Sequence, residues 1–147
     1  MSARTPYKRC KVITSLVPAS RTATAQGTGI DTKGWKWLRV KLHLGAWTTD
    51  EAITLSLETS RDNGVGDAYA AMVGGPSAGP YAASGSNGDK PKEILLFLPT
   101  AVNTERYIRP VVTHTGSGTF IYSVSMEVLD PTDTDLATQT PEAQVVS

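Results

Sequence analysis

Between residues 12 and 129 the dominant hydrophobic period is two. Residues 37–44 alternate strictly: Leu38, Val40, Leu42 and Leu44 share one face, and Trp37, Arg39, Lys41 and His43 share the other. Such a run predicts a half-buried strand about 26 Å long. Ile53, Leu55 and Leu57 repeat the pattern, so residues 38–44 and 53–57 read as an antiparallel hairpin joined by the loop 46–51. Residues 119–129 place Phe120, Tyr122, Val124, Met126 and Val128 on one face and pair, in the same reading, with the run 106–114 as a second hairpin. Pro110 in that run lacks a ladder donor and predicts an edge position or a bulge. Residues 12–17 form a short apolar run closed by Pro18. Residues 93–98 are apolar on both faces, which predicts a strand covered on both sides.

Residues 60–92, rich in Gly, Ala, Ser and Asn, break this rhythm and read as an insertion without regular structure, with 68–73 open between a strand and a helical turn. About eight strands, regular turns and no helical period predict an all-β fold: a two-sheet β-sandwich, jelly-roll-like, with extended arms. The division is a basic N-terminal arm at 1–11, a sandwich domain at 12–129 and an acidic tail at 130–147.

Charge changes the picture in one respect. The chain has 147 residues, with 14 basic and 14 acidic side chains and a formal net charge of zero. That balance argues against direct nucleic-acid binding. It hides a polarity, because Arg4, Lys8, Arg9 and Lys11 lie near the start and Asp130, Asp133, Asp135 and Glu142 near the end. The two arms read either as solvated ends or as segments that dock on neighbouring copies. No apolar run approaches the roughly 18 residues of a membrane span, and no secretory leader is expected.

Candidate chemistry is sparse. The single cysteine, Cys10, excludes an internal disulfide and a multi-cysteine zinc site, and reads as a free thiol. His43 and His114 lie on or at the end of strands, as surface side chains. No nucleophile elbow, phosphate loop or zinc-protease motif is present, so the chain reads as a non-enzyme with no cofactor and no metal. Asp62-Asn63-Gly64-Val65-Gly66-Asp67 superficially resembles a calcium loop but lacks its alternating ligands and closing glutamate, and reads as turn chemistry. The cluster Asp130, Asp133 and Asp135 reads as solvated acid rather than a cation site. Trp35, Trp37 and Trp47 leave three readings open: packing beneath a loop, anchoring a protein interface, or stacking on sugar rings.

Three segments carry a resemblance. The first holds Leu16, Pro18, Arg21, Thr22 and Ala23, then Gly27, Thr28, Gly29, Asp31 and Gly34. The second is Leu57-Glu58-Thr59-Ser60-Arg61-Asp62-Asn63-Gly64, and the third is Arg106-Tyr107-Ile108-Arg109-Pro110-Val111-Val112. In order and spacing, over about residues 16–129, the chain resembles small structural proteins of tailed bacteriophages, among them jelly-roll capsid decoration, or cement, proteins. The resemblance implies a virion protein on the capsid exterior, made in the bacterial cytoplasm, whose partners are the major capsid protein and copies of itself as a dimer or trimer. It implies no membrane and no nucleic-acid partner. Contact candidates on this reading are Trp35, Trp37, Arg39, Arg106 and Arg109, with Ile94, Leu96 and Leu98 as a strand covered by a sister subunit. Related jelly rolls in tails or baseplates, and a carbohydrate-binding receptor module, are the alternatives.

Overall fold

The longest alternating run becomes the central strand of a sheet. The structure, a computed structural model, describes residues 10–47, 51–82, 92–100, 105–131 and 144–146. Its strands are β1 (Cys10–Arg21), β2 (Ala25–Gln26), β3 (Ile30–Asp31), β4 (Trp35–Trp47), β5 (Ala52–Ser60), β6 (Ala70–Ala71), β7 (Ala78–Ala82), β8 (Lys92–Phe97), β9 (Tyr107–His114), β10 (Phe120–Pro131) and β11 (Gln144–Val146). A 3-10 turn, Leu98–Thr100, follows β8. One sheet runs β1-β10-β4-β8-β11, and the other runs β2-β9-β5-β6 with β3 also on β9 and β7 also on β5. All pairings are antiparallel.

This is jelly-roll connectivity. Counting β2–β3 and β6–β7 each as one interrupted strand, the eight run 1-8-3-6 in one sheet and 2-7-4-5 in the other. β11 is added beyond the eight, on the free edge of β8.

Both expected hairpins are therefore replaced. Leu42 in β4 faces Val124 of β10 on one side and Lys92 of β8 on the other. Leu55 in β5 faces Val112 of β9. Strands consecutive in sequence, β4 with β5 and β9 with β10, lie in opposite sheets. Their connections step across the roughly 10 Å between two packed sheets instead of closing a tight turn. The alternation still places the inward faces correctly. Leu38, Val40 and Leu42 meet Val124, Met126 and Val128 beside them, and Ile53, Leu55, Leu57, Ile108 and Val112 come from the facing sheet.

β1 is longer than its apolar run. It continues through Pro18 to Arg21 with register shifts around Leu16, as an edge strand can, because a missing donor costs nothing on the open side. Pro110, by contrast, lies in an interior strand. Its carbonyl accepts from the Gly27 amide at 2.9 Å, so its nitrogen faces the same break between β2 and β3. There the chain leaves the ladder: the Ser15 hydroxyl donates to the Thr28 carbonyl at 2.6 Å, and the Thr28 amide donates to the Ser15 carbonyl at 3.1 Å. A Cβ at Gly27 would collide with the Ser15 hydroxyl and the Pro110 ring, which is why that position carries glycine.

The expected insertion is structured where it is described. Residues 62–67 form a tight turn, and β6 and β7 complete the second sheet against β5. Residues 83–91 lie outside the described residues, as do 1–9 of the basic arm and 132–143 of the acidic tail. Cys10 and Lys11, assigned to the arm by charge, begin β1, and Gln144–Val146, assigned to the tail, form β11. In β8 only one face is buried: Lys92, Ile94 and Leu96 point inward, with the Lys92 ammonium 4.5 Å from the Tyr81 ring centroid. Glu93, Leu95 and Phe97 face outward and are half-buried.

One end of the core closes with a mixed aromatic cluster. His114 Nε2 lies 3.0 Å from the Tyr122 hydroxyl, and its ring meets Phe120 edge-on at 5.1 Å. The Arg21 guanidinium stands 4.8 Å over the Tyr122 ring and donates to the Tyr122 and Val17 carbonyls at 2.9 and 2.8 Å. Burial, then the Arg21 charge, hold the His114 pKa below its ordinary 6.5, against a smaller opposing effect of Glu51. Burial pushes the Tyr122 phenol up to about 12. The unfolded chain thus binds a proton at this histidine more readily than the folded one. The His114 contribution to stability is complete above pH 6.5 and is lost as pH falls through the depressed folded value. Urea midpoints measured from pH 8 to pH 5 will fall on acidification, and His114→Phe will flatten that fall.

Candidate interaction surface

β4 carries the outward face of the first sheet. In register, Trp37 lies between Leu129 of β10 and Phe97 of β8, and Leu129 is opposite Cys10 of β1. This makes an apolar row across the sheet, with the Trp37 and Phe97 rings 4.8 Å apart and tilted by 56°. The next rows are charged. Arg39 Nε lies 2.9 Å from Glu93 and its Nη1 3.7 Å from Glu127, and Lys41 Nζ lies 4.0 Å from Glu127. His43 Nε2 is 3.4 Å from the Ser125 hydroxyl. Each such partly exposed pair contributes about 0–1 kcal/mol. Aromatic residues and arginine are the residue types enriched at protein–protein contacts.

Trp35 and Trp37 do not form one platform. Trp35, at the first position of β4, packs against the core, whereas Trp37 pairs with Phe97. The side chain of Trp47 lies outside the described residues. Ile94 and Leu96, expected at a subunit contact, are 0% and 2% exposed core residues of the protomer itself, because period two turns them inward. Leu98 is partly buried against that core.

Arg106 and Arg109 sit at one corner of the second sheet, already engaged within the chain. Arg106 makes two parallel hydrogen bonds to the Asp31 carboxylate, at 3.1 and 2.8 Å. This pair clips β3 to the start of β9 and holds the Asp31 carboxyl below the usual carboxylate range. Arg109 Nε donates to Glu58 across the β5–β9 ladder at 2.7 Å, its Nη2 lies 2.6 Å from the same carboxylate oxygen, and the guanidinium stacks 4.3 Å over Tyr69. Tyr69 donates to Asn63 at 2.6 Å, and a Cβ at Gly29 would strike its hydroxyl. The neighbouring turn is built on Asp62, whose carboxylate accepts the amides of Val65, Gly66 and Asp67 at 2.6–3.2 Å. Those bonds lower its pKa and occupy the lone pairs a calcium ion would need, so the turn chemistry expected from sequence is what is found. Among the described residues no group of three His, Cys, Asp or Glu side chains could hold a metal ion.

The three sequence segments that carried the resemblance therefore meet at one place. Asp31 and Ser60 both face Tyr107 in register, from β3 and β5 on either side of β9. Spacing along the chain did not reveal this convergence, because these segments lie some 30–75 residues apart in sequence.

Strand order and pairing define the class: an antiparallel jelly-roll β-sandwich, an architecture shared by viral coat, lectin and cupin domains. In sequence, no family model matches the chain and no curated protein matches it. In structure it is similar to the infectious bursal disease virus VP2 subviral particle, with a TM-score of 0.56 and 13% identity over 93% of this chain and 36% of that chain. The Gx strain structure of infectious bursal disease virus matches at a TM-score of 0.51 and 12% identity, over 92% of this chain and 35% of that chain. The SPBc2 prophage-derived protein YomS matches at a TM-score of 0.41 and 15% identity, over 82% of this chain and 93% of that chain. The chain spans about a third of the length of the viral proteins it matches, and at this identity the likeness is one of fold.

Proposed function

We propose that the protein is a structural virion component that decorates and cements the outer surface of an icosahedral phage head. The observation that carries this reading is the convergence of the three phage-like segments on one ion-paired corner of a complete jelly roll. They lie side by side on β3, β9 and β5, as a shared structural frame requires. The likeness of the sandwich to a viral coat protein's fold supports the same reading. The role is mechanical and involves no chemistry on a substrate. The partners are the major capsid protein and further copies of this chain, and the outward face bearing Trp37 and Arg39 is the contact surface. A contact of about 800 Å² per partner gives a stable complex, and many equivalent copies on one shell add avidity.

The test is co-sedimentation of the purified protein with expanded, empty phage capsids. Saturable binding at a fixed copy number per capsomer, with a raised melting temperature of the shell, is the expected result. Absence of binding by folded, β-rich protein overturns the capsid role and directs the search to tails and baseplates.

A further inference from the structure

The jelly roll is complete without β11, and β8 would otherwise be an open edge. We infer that β11 is an exchangeable strand, which docks on the β8 edge of a second copy of this chain and joins copies by β-sheet extension. The inference does not depend on the capsid reading.

The first observation is how slight the strand is. Among the described residues three pairs hold it: Gln144 opposite Leu95, Val145 opposite Ile94, and Val146 opposite Glu93. The second is the reach of its connection. Pro131 faces Trp35, while Gln144 faces Leu95, which in turn faces Arg39. Four residues along β4 and three strand spacings across the sheet put the two ends about 20 Å apart. Residues 132–143 join them, twelve residues whose full extension reaches about 43 Å. A connection twice as long as its own sheet needs does not tie β11 to the β8 beside it.

The third observation is that edge and strand are present on every copy, so exchange preserves each of the three pairs and adds only the new contact between bodies. Backbone pairing on an open edge is a general mode of recognition, and it also removes the aggregation hazard of that edge. A single exchange by three residues is weak. In a reciprocal pair or closed ring, the later exchanges become intramolecular and gain from effective concentration. The outward row beside β8, with Phe97 and Trp37, lies next to the joint and would be covered as the two bodies meet.

The experiment traps the strand where it docks. Gln144→Cys and Leu95→Cys are combined in a Cys10→Ser background; directly opposed residues of an antiparallel pair lie within the Cα separation that a disulfide spans. The protein is oxidised at about 0.5 mM, where exchange is favoured by mass action. Exchange yields covalent dimers or closed rings on non-reducing gels, which revert to monomer on reduction. Crosslinks confined to single chains overturn the inference. Light scattering of the unmodified chain provides a check that needs no engineered cysteine. Its mass at the same concentration should be a multiple of the protomer, and Val145→Pro should return it to the protomer mass. A monomer throughout overturns the inference equally. Either failure leaves capsid binding to be judged by its own assay.

Discussion

Truncating Leu42 to alanine lowers the free energy of unfolding by about 2–5 kcal/mol, a large share of what a domain of this size possesses. Leu42 is fully buried in the strand that pairs on both sides, with Val124 and Lys92 as its neighbours in register. The loss has two parts: the transfer energy of the removed carbons, and the contacts their neighbours lose when two hydrogen-bonded sheets cannot close around the gap. Urea unfolding followed by tryptophan fluorescence should show a lower midpoint with an unchanged slope. A lower slope would mean that the native sandwich itself had loosened.

Removing Glu58 produces the second largest effect. Its carboxylate accepts a hydrogen bond from Arg109 Nε and lies 2.6 Å from Nη2 in an ion pair, with both side chains about four-fifths buried. Glu58→Ala leaves the guanidinium against the Tyr69 ring without its counter-charge, at a cost of about 1.5–3 kcal/mol. Because the pair is shielded, the effect persists at high salt. Arg61, which bonds Glu105 at 3.0 Å with its side chain 77% exposed, provides the contrast: Arg61→Ala changes stability by no more than about 0.5 kcal/mol. A double-mutant cycle on Glu58 and Arg109 isolates the pairwise energy.

What the sequence made legible was orientation, and what it hid was partnership. Period two identified the buried faces of β4, β5 and β10, because inward and outward side chains alternate whatever strand lies alongside. It carries no information about which strand that is. A six-residue connection at 46–51 suits a hairpin and a step between sheets equally, so the pairing of β4 with β10 and β8 was invisible. β6 lies in the stretch 68–73 that read equally as strand or helical turn, and β7 was missed, because Ala70, Ala71 and Ala78 give no contrast between faces. The doubly apolar run 93–98 suggested cover on both sides, yet Leu95 and Phe97 face outward beside Arg39 and Trp37. At the candidate surface, arginine and tryptophan were recognisable as residue types. That Arg106 and Arg109 are spent on Asp31 and Glu58 follows only from the register of β9 with its two neighbours.

The pairing of β1 with β10 also sets a timetable for the nascent chain. Arg21 and Phe120 are partners in the ladder, so β1 must wait for nearly a hundred further residues before its neighbour exists. At a ribosomal pace of roughly 5–20 residues per second that wait is about 5–20 s. Throughout it a twelve-residue strand bearing Val12 and Val17 is available to any other growing chain on the same message. The irregular register around Leu16 and the proline at 18 make β1 a poor template for a foreign strand, while its own partner, shaped to the same bends, still fits. Those irregularities thus act during synthesis, before there is a sandwich for them to stabilise.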